Sequence, residues 1–538
     1  MKKKMLAALV LALCLLLTGC KLDFVGYFQR VQSLLSPGPV MTAFDQMTYT
    51  RPDLDKLQST VDSCCERIAS AKDLNEVLTI IYEAYGLLDG FSTAMALSNI
   101  YYCKDLTNPY WAEEYAFCTE NSATAQAALD QLYRALAKSN FREELEDDQY
   151  FGAGFFGDFD GETVYDDVFT QLLTQEAMLE GQYYALWNAA GDMDMYSEEF
   201  LANYGAQMEQ LYVELIALRQ QMAAHSGYES YPEFAYQFYY GRDYTCKQTT
   251  SYLADIRAEL APLYRRAYTE NMDLQLNYCT EENTLAYVRS VAYAMGGSIQ
   301  QAYELMTANG LYDISYSPNK YEASFEIYIR SYRSPYLFMN PTMSDYDKLT
   351  MAHEFGHFCC DYVSGGSGAG VDIAEVFSQG MEYLSLCYGA NTMELEKLKM
   401  VSSLSVMVEQ AAYASFEQQV YDLKEERLTV ENVRALYQQI GQAYGFDSWG
   451  FDARSYVYVT HFYTNPMYVI GYVVSNDMAM QLYQMEREQK GAGLQALQNA
   501  FTSRDTDIVT FAQNYGLESP FANGRILRVK ETLERVLP

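Results

Sequence analysis

The sequence of 538 residues predicts a mainly α-helical fold with one small β-sheet. From about residue 41 onward, long stretches carry apolar residues at three- and four-residue spacing with few prolines, which is typical of packed helices. One region departs from this pattern, because residues 324–330 alternate and are rich in β-branched and aromatic side chains. Hydrophobic residues make up 49% of the chain and charged residues 20%, so a large buried core is expected.

The N-terminus predicts export and a lipid anchor. Three lysines are followed by an apolar run from Met5 to Leu17 and by Thr18-Gly19-Cys20. Such a pattern is typical of a secretory signal, and the run is too short to span a membrane stably. Its end resembles the lipobox of bacterial lipoproteins. We therefore predict a signal peptide over residues 1–19, a lipidated Cys20 and a tether over residues 20–40, which would hold the protein outside the cytoplasm on a bacterial membrane.

The net charge of −34 argues against a nucleic-acid partner, because binding to phosphates requires clustered lysine and arginine. A solvated acidic surface accounts for the charge and favours solubility.

The cysteines do not follow a zinc-binding spacing. Of the 11 cysteines, nine remain after Cys14 and Cys20 are set aside, and none forms a CxxC pair. Export permits disulfides, and Cys103 with Cys118 is the first candidate pair. We expect most of the thiols to be free and buried.

Apolar periodicity places the predicted helices along the whole chain, and the chain contains no internal repeat. The clearest predicted helices cover residues 74–104, 121–138, 196–224, 247–274 and 392–425.

Two predicted strands precede a helix in the second half of the chain. The strands cover residues 324–330 and 335–340, and Ser344 with Asp347 forms a capping-box start for a helix that runs to Gly365. A strand edge beside this helix can pair with an extended peptide through main-chain hydrogen bonds.

The helix carries His353-Glu354-Phe355-Gly356-His357. Two histidines four residues apart lie about one helical turn apart on one side, so both imidazoles can bind one metal ion. Glu354 lies between them, where it can take a proton from a metal-bound water. Zinc suits this arrangement because it polarises a carbonyl and lowers the pKa of its water to about 7.

A catalytic zinc site needs a third protein ligand. Residues 371–379 begin the next predicted helix, and its Glu375 lies 18 residues after His357. Glu382 is seven residues further on the same face and is the competing candidate. Spacing alone leaves both open.

Three segments resemble the thimet oligopeptidase and oligoendopeptidase F family: Pro335–Asn340, His353–His357 and Ala374–Ser378. The resemblance implies that Glu375 is the zinc ligand. It also implies a helical shell around a deep channel, with the small sheet next to the zinc helix. Weaker likenesses lie at Tyr49–Asp53 and Gly227–Tyr236.

The resemblance also implies a late segment whose side chains stabilise the oxyanion. Here this is the segment from His461 to Tyr472, with His461, Tyr468 and Tyr472 as candidate donors. Related sequences often have another tyrosine where Ile470 stands. The remaining histidine, His225, is interpreted as structural.

The loop between the second histidine and Glu375 departs from the family pattern. It has 17 residues, several fewer than is usual in the family, where longer versions line the substrate channel. The shorter loop is expected to widen or re-aim the cleft without removing zinc.

These observations predict a zinc-dependent endopeptidase with one Zn²⁺ per chain that cuts oligopeptides. Residues 41–538 would form the peptidase domain, with an N-terminal helical part over 41–240 and a catalytic part over 241–538. Two alternatives remain at this stage: an exopeptidase on the same scaffold, and a peptide-binding lipoprotein without activity. Glu354 argues against the second, because binding alone needs no base.

Overall fold

The computed structural model describes residues 42–147, 150–160, 166–190, 193, 197–270, 276–366, 369–446, 451–503 and 505–537. The predicted signal peptide, Cys20 and nearly all of the tether lie outside the described residues, so these remain predictions.

The described chain is mainly helical, as predicted. Its helices are α1 (Leu54–Ser70), α2 (Leu74–Lys104), α3 (Pro109–Glu120), α4 (Ser122–Ala137), α5 (Arg142–Leu145), α6 (Asp167–Ala190), α7 (Glu198–Phe200), α8 (Ala206–His225), α9 (Tyr231–Phe234), α10 (Cys246–Glu270), α11 (Glu281–Met295), α12 (Gly297–Ala308), α13 (Asp347–Ser364), α14 (Val371–Tyr388), α15 (Met393–Val420), α16 (Val430–Ala443), α17 (Thr460–Thr464), α18 (Ile470–Glu488), α19 (Ala492–Ala500), α20 (Ile508–Asn514) and α21 (Arg525–Glu534). A π-helical turn over Leu201–Gly205 joins α7 to α8. The five stretches that the periodicity predicted are helical where the structure describes them, apart from a few residues at their ends. Helix α2 matches its prediction, and residues 196 and 271–274 of two other stretches lie outside the described residues.

Local sequence signals explain where the first long helices begin. The side chain of Asp53 accepts a hydrogen bond from the backbone N–H of Lys56 at 2.9 Å, and Asp73 does the same for Glu76. Each carboxylate satisfies a backbone donor that has no partner inside the helix. Asp105 ends α2 in an extended conformation.

The small sheet has three strands in the order β1 (Tyr312–Asp313), β3 (Ser334–Met339) and β2 (Ser324–Ile329). Central β3 is buried along its whole length, pairs in parallel with β1 and pairs antiparallel with β2. The strands β2 and β3 confirm the two predicted strands. Strand β1 was not predicted, because two residues give no alternation to detect.

The sheet packs against α13, which follows it in the chain. Helix α14 lies along α13 on one side and along α18 on another, so these three helices and the sheet form the centre of the catalytic half. This packing brings together segments that lie more than 100 residues apart.

The buried hydrophobic side chains form two clusters. The smaller cluster lies within residues 57–156. The larger cluster includes Phe44, Met47 and side chains within residues 96–103, and otherwise extends from Phe169 to Leu537. Residues 200–264 share the larger cluster with the catalytic part, so the core does not divide at the predicted boundary of 240/241. Within the described residues, no helix is both long and apolar enough to cross a membrane.

The first candidate disulfide is wrong. Cys103 and Cys118 are both free thiols. The Cys103 thiol donates to Asn99 Oδ1 at 3.2 Å, whereas Cys118 Sγ lies 4.0 Å from the hydroxyl of Tyr49. The expectation of mostly free thiols is confirmed for the described residues.

Candidate active site

Helix α13 begins three residues later than the capping-box prediction. The side chain of Asp347 accepts hydrogen bonds from the backbone N–H of Ser344 at 3.0 Å and of Thr342 at 2.9 Å. The hydroxyl of Ser344 contacts the hydroxyl of Thr342 rather than the N–H of Asp347. Only one half of the capping box therefore forms, and the helix ends at Gly365, which has a positive φ of 78°.

Gly356 allows α13 and α14 to approach each other closely. A Cβ atom at this position would lie 2.7 Å from the carbonyl oxygen of Phe377 and 2.7 Å from Cα of Ser378. Only glycine fits this contact without a shift of the backbone. The approach brings Glu375, one turn earlier on α14, next to the histidines of α13.

The structure brings His353, His357 and Glu375 together. One ligand atom from each residue lies within 4.8 Å of the others, and Nε2 of His353 is 3.5 Å from Oε2 of Glu375. The side chains of His353 and Glu375 are almost fully buried. Among the described residues, Nε2 of His353 is buried and has no hydrogen-bond partner. A buried, unpartnered nitrogen beside a carboxylate oxygen fits a metal ligand better than a packed core histidine.

Glu382 does not join this triad. Its Oε1 lies 2.8 Å from Nδ1 of His353, and its Oε2 accepts from the Lys399 ammonium at 2.8 Å. Burial alone would raise the pKa of Glu382, but Lys399 and His353 lower it below its usual value. The ionised carboxylate therefore accepts the Nδ1 proton of His353, so Nε2 is the ring nitrogen that a metal ion would bind in place of a proton.

Glu354 is buried beside the triad. Burial raises the pKa of Glu354 to about 8, and the charges of Glu375 and Glu382 add to this effect. The positive charge of His353 and a hydrogen bond from the backbone N–H of Glu326 oppose it. Because Glu326 lies in the middle of β2, the carboxylate of Glu354 sits against that strand.

The site attracts positive charge. Burial would lower the pKa of His353, yet the hydrogen bond to Glu382 and the charges of Glu354 and Glu375 raise it to about 9. Burial and the neighbouring His353 lower the pKa of His357 well below its usual value. The raised pKa values of His353 and Glu354 mean that the cluster holds protons, which a divalent cation binding there would displace.

Residues 461–472, here called the donor segment, bring the three predicted oxyanion donors together. Nε2 of His461 lies 3.1 Å from the hydroxyl of Tyr472, and the ring of Tyr468 is 5.6 Å from that of His461 and 5.1 Å from that of Tyr472. Burial lowers the pKa of His461 to about 4, so its ring is neutral at pH 7. A neutral imidazole and two phenols can each donate a hydrogen bond.

The donor segment packs against the helix that carries Glu375. A Cβ atom at Gly471 would overlap Oδ1 of Asp372, which lies one turn before Glu375 on α14. His225 lies elsewhere: it contacts Asp166 at 2.9 Å and stacks on Phe169. Its contacts agree with a structural role.

Comparisons with known proteins agree with this architecture. Residues 44–158 match the family model described as the Peptidase M3 N-terminal domain. No curated protein matches the chain. A crystal structure provisionally named oligoendopeptidase F superimposes with a TM-score of 0.80 at 20% identity, covering 92% of this chain and 98% of the other.

The fold is that of oligoendopeptidase F. PZ peptidase A, solved with an inhibitor, gives a TM-score of 0.80 at 18% identity and covers 92% of this chain and 99% of its own. A Bacillus anthracis protein, again provisionally named oligoendopeptidase F, gives 0.77 at 20% identity and covers 92% and 98%. The match over residues 44–158 supports an M3 peptidase domain in that part of the chain, and the superpositions show the oligoendopeptidase F fold.

The segment that matches the M3 N-terminal domain contains the smaller of the two hydrophobic clusters. It covers residues 44–158, and the smaller hydrophobic cluster lies within residues 57–156. The oligoendopeptidase F fold is therefore built here on a separate N-terminal core and a larger core around the candidate site.

The sequence did not reveal several charged residues that hold the site in this oligoendopeptidase F fold. Lys399, Asp372 and Arg242 are all buried and all make ion pairs next to the candidate site. Lys399 lies among apolar neighbours in a predicted helix. A charged residue on a predicted buried face was therefore the sequence signal that could have revealed a buried ion pair. Their partners lie 17 or more residues away, and single-sequence patterns do not reveal such pairs.

Proposed function

We propose that this protein is a zinc-dependent endopeptidase that hydrolyses short peptides outside the cytoplasm. The observation that carries the proposal is the convergence of His353, His357 and Glu375 in one buried cluster, with Glu354 beside it.

The residues present fit zinc. Two imidazoles and one carboxylate are the usual donors of a catalytic zinc site, in which three protein ligands leave one position for water or substrate. The buried, unpartnered Nε2 of His353 and the excess of nearby carboxylates support this assignment. When bound there, zinc supplies Lewis-acid polarisation of a carbonyl and lowers the pKa of water.

Glu354 is proposed as the general base. A carboxylate at this place can take a proton from water and deliver it to the leaving amine, and burial raises its pKa toward neutral pH. Its position between the two histidine ligands on α13 keeps it beside the attacking water without making it a ligand.

His461, Tyr468 and Tyr472 are proposed to stabilise the oxyanion. Attack on a peptide carbonyl places negative charge on its oxygen, and prepositioned donors lower the energy of that state. Because burial keeps His461 neutral, its donor capacity does not depend on protonation near pH 7.

The substrate is proposed to lie extended along the free edge of β2. Among the described strands β2 pairs only with β3, and the backbone N–H of its residue Glu326 donates to Glu354. Main-chain pairing selects for unfolded peptides regardless of side chains, which agrees with short oligopeptides as substrates. Lipidation of Cys20 is proposed to hold the enzyme on the membrane.

The test is the hydrolysis of a peptide whose two termini are blocked by acetylation and amidation. An endopeptidase cuts it internally, and mass spectrometry identifies both products. Glu354→Gln should retain zinc and lose about 10²- to 10⁴-fold in kcat, because the ligands remain while the proton acceptor is lost.

The matched control is Glu409→Gln. Glu409 accepts hydroxyl donors from Ser405 and Tyr264 and lies outside the site, so this variant should keep the wild-type rate. A Glu354→Gln variant with turnover close to wild type would refute the mechanism. Cleavage restricted to peptides with a free terminus would refute the endopeptidase assignment.

A further inference from the structure

The donor segment depends on an unusual backbone conformation between two of its donors. Met467 precedes Tyr468 and has a φ of 65°, a left-handed conformation that residues with a side chain rarely adopt. Such residues persist only where their surroundings hold them, and they are frequent at active sites.

Buried side chains hold both peptide groups of Met467. Its N–H donates to Glu417 Oε1 at 2.7 Å, and its carbonyl accepts from Arg242 Nη1 at 2.7 Å. The same guanidinium reaches the carbonyl of Tyr468 at 3.4 Å. Arg242 therefore fixes the backbone at the position from which the Tyr468 ring projects.

Arg242 also contacts the helix that carries Glu375. Its Nε and Nη2 donate to the two carboxylate oxygens of Asp372 at 3.0 and 3.1 Å, and the hydroxyl of Tyr244 donates to the same carboxylate at 2.6 Å. Asp372 lies three residues before Glu375 on α14. One guanidinium thus bridges the metal-ligand helix and the donor segment.

The donor segment also packs directly on α14 at Gly471, and other side chains bind its carbonyls. Arg219 donates to the carbonyls of Phe462 and Tyr463, and Tyr240 donates to the carbonyl of Pro466 at 2.8 Å. These bonds anchor the segment to residues 219–240, whereas Arg242 alone among these side chains also pairs with Asp372.

We propose that Arg242 is a positioning residue that sets the distance between the oxyanion donors and the triad. The inference rests on the proposed function. A lysine at this position keeps the charge but cannot hold four acceptors in one plane. Because misplacement of a donor by about 1 Å costs about 10²-fold in rate, Arg242→Lys should lower kcat by about 10- to 100-fold. KM should change less than about threefold, because the contact acts on the transition state.

The matched control is Arg525→Lys. Arg525 is also a buried arginine, and it pairs with Asp477 on α18 at 2.6 Å. Arg525→Lys weakens a comparable buried ion pair on the helix that carries Tyr472. A general loss of packing would therefore lower kcat in both variants alike. The control should keep kcat within about threefold of wild type.

A second measurement does not require activity. Hydrogen exchange followed by mass spectrometry should show faster exchange over residues 460–472 in Arg242→Lys than in wild type or Arg525→Lys, because local opening frees those amides. Zinc content should stay at one per chain in all three proteins. Asp372→Asn serves as a second variant that loosens the bridge while keeping Arg242 on the carbonyls, and it should lower kcat in the same direction.

The outcomes separate the two proposals. If wild type cuts no peptide, the proposed function fails, and exchange over residues 460–472 still decides whether Arg242 holds the segment. If wild type is active but both Arg242→Lys and Asp372→Asn keep kcat and exchange unchanged, the positioning role is overturned. Equal losses in Arg242→Lys and Arg525→Lys would also overturn it.

Discussion

Replacement of Glu382 tests whether the metal affinity of the site depends on a residue that does not touch the metal. In wild type, Glu382 accepts from His353 Nδ1 and from the Lys399 ammonium, both at 2.8 Å. Glu382→Gln keeps the shape of the side chain and removes its charge. The bond to His353 then changes from a charge-assisted to a neutral hydrogen bond.

The size of the effect follows from that bond. A hydrogen bond to a charged group contributes about 1.5–3 kcal/mol and a neutral one about 1 kcal/mol. A loss of about 1.4 kcal/mol corresponds to a tenfold loss of affinity. The difference of about 0.5–2 kcal/mol corresponds to a loss of about 2- to 30-fold. Such partners of a ligand histidine typically contribute about 10- to 100-fold, so we expect Glu382→Gln to weaken zinc binding by about 10- to 30-fold.

The assay is competition for zinc against a chromophoric chelator, with Glu409→Gln as the control. Glu382→Gln also leaves the Lys399 ammonium buried without its partner, at a cost of about 3–5 kcal/mol in unfolding free energy. The double variant Glu382→Gln/Lys399→Met removes that charge, so stability should recover while zinc affinity stays low. Zinc affinity within about twofold of wild type in the folded double variant would refute the reasoning.

Four further outcomes are expected. His461 should reduce the unfolding free energy of the zinc-loaded wild type by about 2 kcal/mol between pH 7 and pH 5. Its folded pKa of about 4 lies below its unfolded value, so protons favour the unfolded chain. In urea unfolding, His461→Gln should not show this pH-dependent loss. Gly356→Ala should destabilise the protein by about 1–3 kcal/mol, because the new methyl group overlaps α14. Gly86→Ala is the control, because Gly86 has open space around it. Equal unfolding free energies of the two variants in urea would contradict the close approach of α13 and α14. Cys20→Ala should move the protein from the membrane fraction to the soluble fraction, and unchanged membrane recovery would exclude the lipid anchor. Peptides of roughly 5–20 residues should be cut and a folded protein spared, and efficient digestion of the folded protein would indicate an open cleft.

Much of the fold could be predicted from the sequence, because the buried side of a helix or strand sets the spacing of its apolar residues. Helix α2 covers the residues that the apolar spacing predicted, since one face of it packs into the core. The strands β2 and β3 followed from alternation. The predicted end of α15 differs from the structure: the apolar spacing continues to residue 425, but the helix ends at Val420.

The site was predictable where its residues lie close in sequence. His353, Glu354 and His357 share two turns of one helix, and the family resemblance favoured Glu375 over Glu382, a choice that agrees with the geometry. The division of the core near residue 160 and the left-handed Met467 depend on tertiary packing. Neither leaves a local pattern in the sequence.

The contacts of the donor segment have a consequence for how the protein matures. Arg219, Tyr240 and Arg242 are synthesised before the segment whose carbonyls they bind, whereas the metal triad lies on two neighbouring helices of the later half. If zinc binds as proposed, its binding to α13 and α14 does not by itself form the contacts that hold the donor segment. Metal content would then be a poor measure of the active fraction in a preparation, because it does not report whether the donor segment is in place.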